Sequence, residues 1–210
     1  VLASFPPDDT GVTDNEHAEM LRSMLANVMK TPLPGGFALR DVEDRKRFRE
    51  IEFTFPVAYL NHGGLTSLLE SYCRRVPKLS FSDLEGFLKG FIDLVFEING
   101  KWFVLDWKSN KLGDSEDEYG SEPVNDAMDS HAYKLQGLIY LTALHRYLKL
   151  RVPGYSYGTH MGGILYLFVR GVRPEWPSAG IWHDLPDQAM IESLDKLFST
   201  RHKKEGGRVR

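Results

Sequence analysis

Apolar residues recur at helical spacing through Leu21, Leu25 and Val28, behind a Thr13–Glu16 pair with capping-box spacing and ahead of Pro32 and Pro34. That pattern predicts a first helix. From Arg47 to Pro56 the pattern becomes alternation, with Ile51, Phe53 and Phe55 on one face and Glu50, Glu52 and Thr54 on the other, a half-buried strand. Gly63-Gly64 opens a short helical stretch, Leu65 to Arg75, which stops before Pro77. Gly86 to Ile98 and Lys101 to Lys108 are strand-like runs joined by Asn99-Gly100, a pair suited to the backbone of a two-residue hairpin turn. The segment from Asp114 to Asp129 is rich in acids and has no base, and it reads as a mobile loop. A long helix is predicted from about Asn125 to Leu150, with Tyr133, Gln136, Tyr140 and Tyr147 close to one face. Gly162 to Arg170 is a further apolar strand, and after a Pro-containing loop a last helix runs from about Asp187 to Phe198. No repeat or second boundary interrupts residues 1–200, so one α/β domain is expected, a mixed sheet flanked by helices. The base-rich residues 201–210 read as a flexible tail.

Composition excludes several classes. Lys and Arg number 26 against 29 Asp and Glu, a net charge of −3, so the chain is no polybasic nucleic-acid arm. The single cysteine, Cys73, rules out an internal disulfide framework and a cysteine-based zinc site, and suits a reducing, cytoplasmic compartment. No apolar run approaches membrane-spanning length, and no signal peptide is visible. A Gly-rich phosphate loop ending in Lys-Ser or Lys-Thr is missing too, so the chain does not itself contain an ATPase motor.

The candidate chemistry lies in the hairpin. The register set by Asn99-Gly100 pairs Ile98 with Lys101 and Phe96 with Phe103, and carried on it sets Asp93 opposite Asp106. Directly opposed residues have Cβ atoms about 4.5–5.5 Å apart, and Lys108 shares the face of Asp106. Two carboxylates that close repel, and a hard divalent cation is the natural remedy. The adjacent lysine could orient a water or stabilise charge growing on a phosphate. An Asp-x-Lys alone is usually a solvated ion pair. Here Phe91, Ile92, Leu94, Val95, Val104, Leu105 and Trp107 surround the polar residues, and that setting favours a metal site.

These residues resemble a known family. Asp93 followed by Asp106-x-Lys108 on the returning strand is similar to the PD-(D/E)XK nuclease signature. GFIDLVF, LDWKSN, the stretch His131 to Gln136, LTALHRYL and GGILYLFVRG resemble the C-terminal nuclease domain of RecB, the beta subunit of exodeoxyribonuclease V, over about residues 17–200. The resemblance implies a restriction-endonuclease-like core and a Mg²⁺-dependent DNA nuclease, with Mn²⁺ as substitute, active in double-strand-break repair and recombination. It implies DNA, the subunits RecC and RecD, and RecA as partners. By the same resemblance Asp93, Asp106 and the Trp107 backbone carbonyl hold the metal, Lys108 is the catalytic lysine, and Glu50 is the strand acid, with Glu52 as its rival. Gln136 and Tyr140 fit the family's Gln-x-x-x-Tyr motif, as DNA-binding or supporting groups. The family's upstream metal-binding histidine has no counterpart here, and the chain opens on Val. A truncated fragment with weak metal binding is therefore expected. Its alternative role is protein docking, in RecA loading or subunit contact, with little cleavage of its own.

Overall fold

A computed structural model describes residues 14–81 and 83–200. Thr13 and the 201–210 tail lie outside the described residues. Five strands form one sheet in the spatial order of the chain: β1 (Arg47–Leu60), β2 (Leu84–Ile98), β3 (Lys101–Lys108), β4 (Met161–Phe168) and β5 (Ile181–Asp184). Neighbours are antiparallel except β3 and β4, which run parallel. The helices are α1 (Asp14–Lys30), α2 (His62–Glu70), α3 (Ser121–Ser130), α4 (Tyr133–Arg151), α5 (Tyr157–His160) and α6 (Gln188–Ser199). The mixed sheet flanked by helices is the α/β architecture that the patterning predicts. The strand β5 and the short α5 were not legible in the pattern.

Asn99 and Gly100 take φ of 52° and 75°, the left-handed pair that a tight hairpin turn requires, and Ile98–Lys101 and Phe96–Phe103 pair as the register demands. Every residue of β4 is buried, because β3 and β5 flank it and helices and loops cover it. Gly162 in this strand lets the Phe103 ring lie against the backbone: a Cβ there would sit 2.4 Å from a ring carbon. One apolar cluster joins the sheet to α2, α3, α4 and α6 through residues such as Leu69, Met128, Leu141 and Phe198. A second covers the other face, where Val28, Phe37 and Leu39 meet Phe96, Phe103 and Leu105.

Two expectations need correction. Residues 114–129 are not a loose loop. Tyr119, Val124 and Met128 are fully buried, and α3 begins at Ser121. The apolar residues recur at helical spacing and turn inward, while acids such as Glu122 and Asp114 turn out and meet bases outside the segment, Arg74 at 2.9 Å and Lys111 at 2.7 Å. Nor is the stretch from Asn125 to Leu150 one helix. It breaks at Ala132, whose φ is 57°. Residues five apart on an unbroken helix point about 140° apart; the break brings Lys134 back onto Asp129, 2.7 Å away and buried.

Candidate active site

Lys108 and Asp106 occupy the end of β3, where the parallel ladder sets them beside Phe168 and Tyr166 of β4. Two residues apart on a strand, they share a face. Lys108 Nζ lies 2.6 Å from Asp106 Oδ2, with the side chains 11% and 4% exposed. Asp106 Oδ2 is buried, so the Lys108 ammonium beside it is what compensates its charge. Burial pushes the Asp106 carboxyl above its usual range; the Lys108 ammonium pulls it back down, and the charge of Asp93 adds to the upward push.

The helix α4 closes over this pair. Lys108 Nζ donates to Gln136 Oε1 at 3.1 Å, and the Gln136 amide nitrogen donates to the Tyr140 hydroxyl at 2.8 Å. Their four-residue spacing makes these two side chains neighbours on the helix. Burial first, and then the Asp106 charge, push the Tyr140 phenol up to about 12. The Tyr166 hydroxyl lies 3.1 Å from Gln136 Oε1 and 2.9 Å from the Tyr133 carbonyl. Sequence patterning passed over Tyr166. Its signal was there: a tyrosine within an aliphatic strand carries a hydroxyl that needs a buried partner.

Asp93 is placed differently from its neighbours. The regular pairing of β2 with β3 ends at Leu94–Leu105, one step short of Asp93 and Asp106. Past that point the Asp93 carboxylate itself accepts the Trp107 N–H at 3.0 Å, so a side chain takes the place of a ladder bond. The β1–β2 ladder also skips one residue on each strand, Glu50 and Asp93, without a change of register. Ile92 and Val95 both join the α4 side of the core, so alternation slips across Asp93. Glu50 mirrors this slip with φ of 53°, in the left-handed region. Glu50 and Asp93 line a cleft of about 360 Å³ together with Arg49 and Trp107. Glu52 is engaged elsewhere, 2.8 Å from Lys89. The structure thus brings Asp106, Lys108, Gln136 and Tyr140 into one network, with Asp93 and Glu50 at the adjoining seam.

The donor set suits a hard cation. Asp93, Asp106 and the Trp107 carbonyl are oxygen donors, and the charge of the buried Asp106 is met by Lys108 alone among the contacts described above. Among the described residues no three His, Cys, Asp or Glu side chains converge. Two carboxylates would leave a bound Mg²⁺ mostly hydrated, as that ion tolerates.

A mixed sheet whose central hairpin carries an acid, an opened seam and Asp-x-Lys is the framework of a nuclease-type hydrolase. The chain matches the PD-(D/E)XK nuclease superfamily over residues 7–204 and belongs to it. Members of this superfamily generally use divalent metal ions. The chain is 36% identical to the RecBCD enzyme subunit RecB of Escherichia coli (strain K12) over 196 residues, which is 91% of this chain and 17% of that protein. It is 36% identical to the same subunit of Haemophilus influenzae over 88% of this chain and 16% of that protein. For Mycobacterium tuberculosis the figures are 34%, 88% and 20%. The chain therefore spans about a sixth to a fifth of the length of these relatives. No described helix is long and apolar enough to cross a membrane.

Proposed function

We propose that this chain is the nuclease part of a RecBCD-type enzyme and hydrolyses DNA phosphodiesters with Mg²⁺ or Mn²⁺, in the repair and recombination of broken duplexes. One observation carries the reading: a buried carboxylate, Asp106, in contact with the Lys108 ammonium and close enough to Asp93 to feel its charge. Asp93, Asp106 and the Trp107 carbonyl would hold the cation. When bound, the ion acidifies water and screens the phosphate charge. The chain's own groups do the rest. Lys108 presents a fixed positive charge where the phosphate gathers negative charge, and a preorganised charge in a water-poor site is worth more than one in bulk solvent. Gln136 holds one Lys108 N–H, and Tyr140 holds Gln136 in turn. Glu50, on the cleft wall beside Asp93, would orient or deprotonate the entering water, and the cleft with Arg49 and Trp107 would receive the strand.

The relatives are named as subunits of the RecBCD enzyme, so the same reading extends to assembly with RecC and RecD on DNA in the cytoplasm and to delivery of RecA. ATP would be consumed outside this chain. In the intact protein, Asp106→Asn or Lys108→Ala should each lower Mg²⁺-dependent cleavage of linear DNA by at least about 10²-fold. Retained cleavage in a folded variant would refute the assignment.

A further inference from the structure

The ammonium of Lys108 has a neighbour that the reaction does not call for. Its Nζ lies 3.8 Å from the centroid of the Tyr133 ring and 5.1 Å from that of Tyr166. These two rings are nearly parallel, 17° apart in plane, with centroids separated by 5.8 Å. Tyr133 is itself fixed on several sides. The His131 ring stacks on it at 5.1 Å and 14°. Its hydroxyl donates to Asn110 Oδ1 at 3.2 Å, and its carbonyl accepts the Tyr166 hydroxyl. The left-handed Ala132 immediately before it starts α4 at this spot.

The electrostatics give this placement a purpose. The Lys108 ammonium already touches the Asp106 carboxylate at 2.6 Å, and that single contact leaves it free to swing about the carboxylate. The negative face of an aromatic ring competes for the cation without neutralising it, and the pull is strongest where water is scarce. Gln136 Oε1 supplies a second tether, at 3.1 Å.

We propose that Tyr133 is a positioning residue for the nuclease reaction, its ring face fixing the direction of the Lys108 ammonium at its contacts with Asp106 and Gln136, ready for the substrate phosphate. This rests on the function proposed above, in which Lys108 meets the phosphate. The test is steady-state cleavage of linear DNA by the intact protein, with kcat and KM measured separately. Tyr133→Leu, which removes the ring, should lower kcat roughly tenfold, about 1.4 kcal/mol of barrier, and leave KM within about twofold. Tyr133→Phe keeps the ring and should retain cleavage within about threefold. Trifluorophenylalanine at position 133 keeps the shape but drains the ring face of negative charge, so it should lower kcat below that of Tyr133→Phe. On a Lys108→Ala background none of these changes should reduce the residual rate further. Should Tyr133→Leu fail to fold, the comparison of Phe with its fluorinated form still decides. Equal kcat for those two forms, or an undiminished Tyr133→Leu effect on the Lys108→Ala background, would overturn the proposal while leaving the assignment of Lys108 intact. Full cleavage by Lys108→Ala alone would overturn the proposed function and this inference together.

Discussion

Asp129 and Lys134 sit on either side of the α3–α4 corner, and their contact offers a sharp test of what holds that corner. Their charged atoms are 2.7 Å apart, with side chains only 2% and 7% exposed. Asp129 Oδ1 takes no hydrogen bond of good geometry, so Lys134 is its main compensation. Lys134→Met leaves a buried carboxylate without a countercharge, and Asp129→Leu leaves a buried ammonium. Removing one partner of such a pair destabilises by about 3–5 kcal/mol, whereas replacing both by apolar groups is close to neutral. For a domain of this size each kcal/mol moves Tm by roughly 2–4 °C, so either single variant should melt about 6–20 °C lower. The double variant should recover most of that loss. Urea unfolding of the four proteins closes a double-mutant cycle. A functional effect should accompany the single variants, because the same corner seats Tyr133 and Gln136 over Lys108. Single variants that lose less than about 1 kcal/mol, or a double variant as unstable as the sum of the singles, would refute the reasoning.

Other predictions follow from individual groups. His145 is buried, with Nδ1 2.8 Å from the Tyr155 hydroxyl and Nε2 without a partner, and burial holds its pKa below the usual imidazole value. A depressed pKa in the folded state gives stability that is present above about pH 6.5, the unfolded value, and lost as pH falls through the folded value. Urea midpoints between pH 7.5 and 5 should therefore drop, and less steeply in His145→Leu. Gly162→Ala should destabilise by about 1–3 kcal/mol in calorimetry, since the added methyl meets the Phe103 ring at 2.4 Å. Mn²⁺ should raise the Tm of the chain and leave that of Asp106→Asn unchanged, because only the native carboxylate rewards the bound ion. A rise equal in both would place the ion elsewhere.

Much of this site was readable along the chain because its key residues are local to one hairpin. Asn99-Gly100 sets the register of β2 and β3 as far as Leu94–Leu105, and strand alternation then carries Asp106 and Lys108 onto one face, in register with β4. The Gln136–Tyr140 pairing followed from helical spacing in the same way. What alternation missed is tertiary in origin. The slip at Glu50 and Asp93 depends on two strands bulging together, and neither residue alone announces a left-handed backbone. The break at Ala132 is equally silent, since alanine favours an unbroken helix. In residues 114–129 the many acids mask the helical spacing of Tyr119, Val124 and Met128, which anchor the segment. Tyr166 lay in a strand read only for its hydrophobicity.

The unequal bonding of β3 has a bearing on how this domain changes over time, both within a molecule and across a lineage. Toward β4 the strand is paired through Lys108, and the Val169 N–H bonds the Lys108 carbonyl at 3.0 Å just beyond. Toward β2 it is released after Leu105. The segment bearing Asp106 and Lys108 is thus clamped by backbone pairing on one flank and held on the other by the Trp107 N–H bond to the Asp93 side chain. Amide hydrogens that point to β4 should exchange slowly, and the far arm of β1 and β2 can breathe without loosening the clamped flank. Insertions or tilts in that arm can reshape the entrance to the cleft while the strand bearing Asp106 and Lys108 keeps its footing, so change at the entrance is mechanically separated from change at that pair.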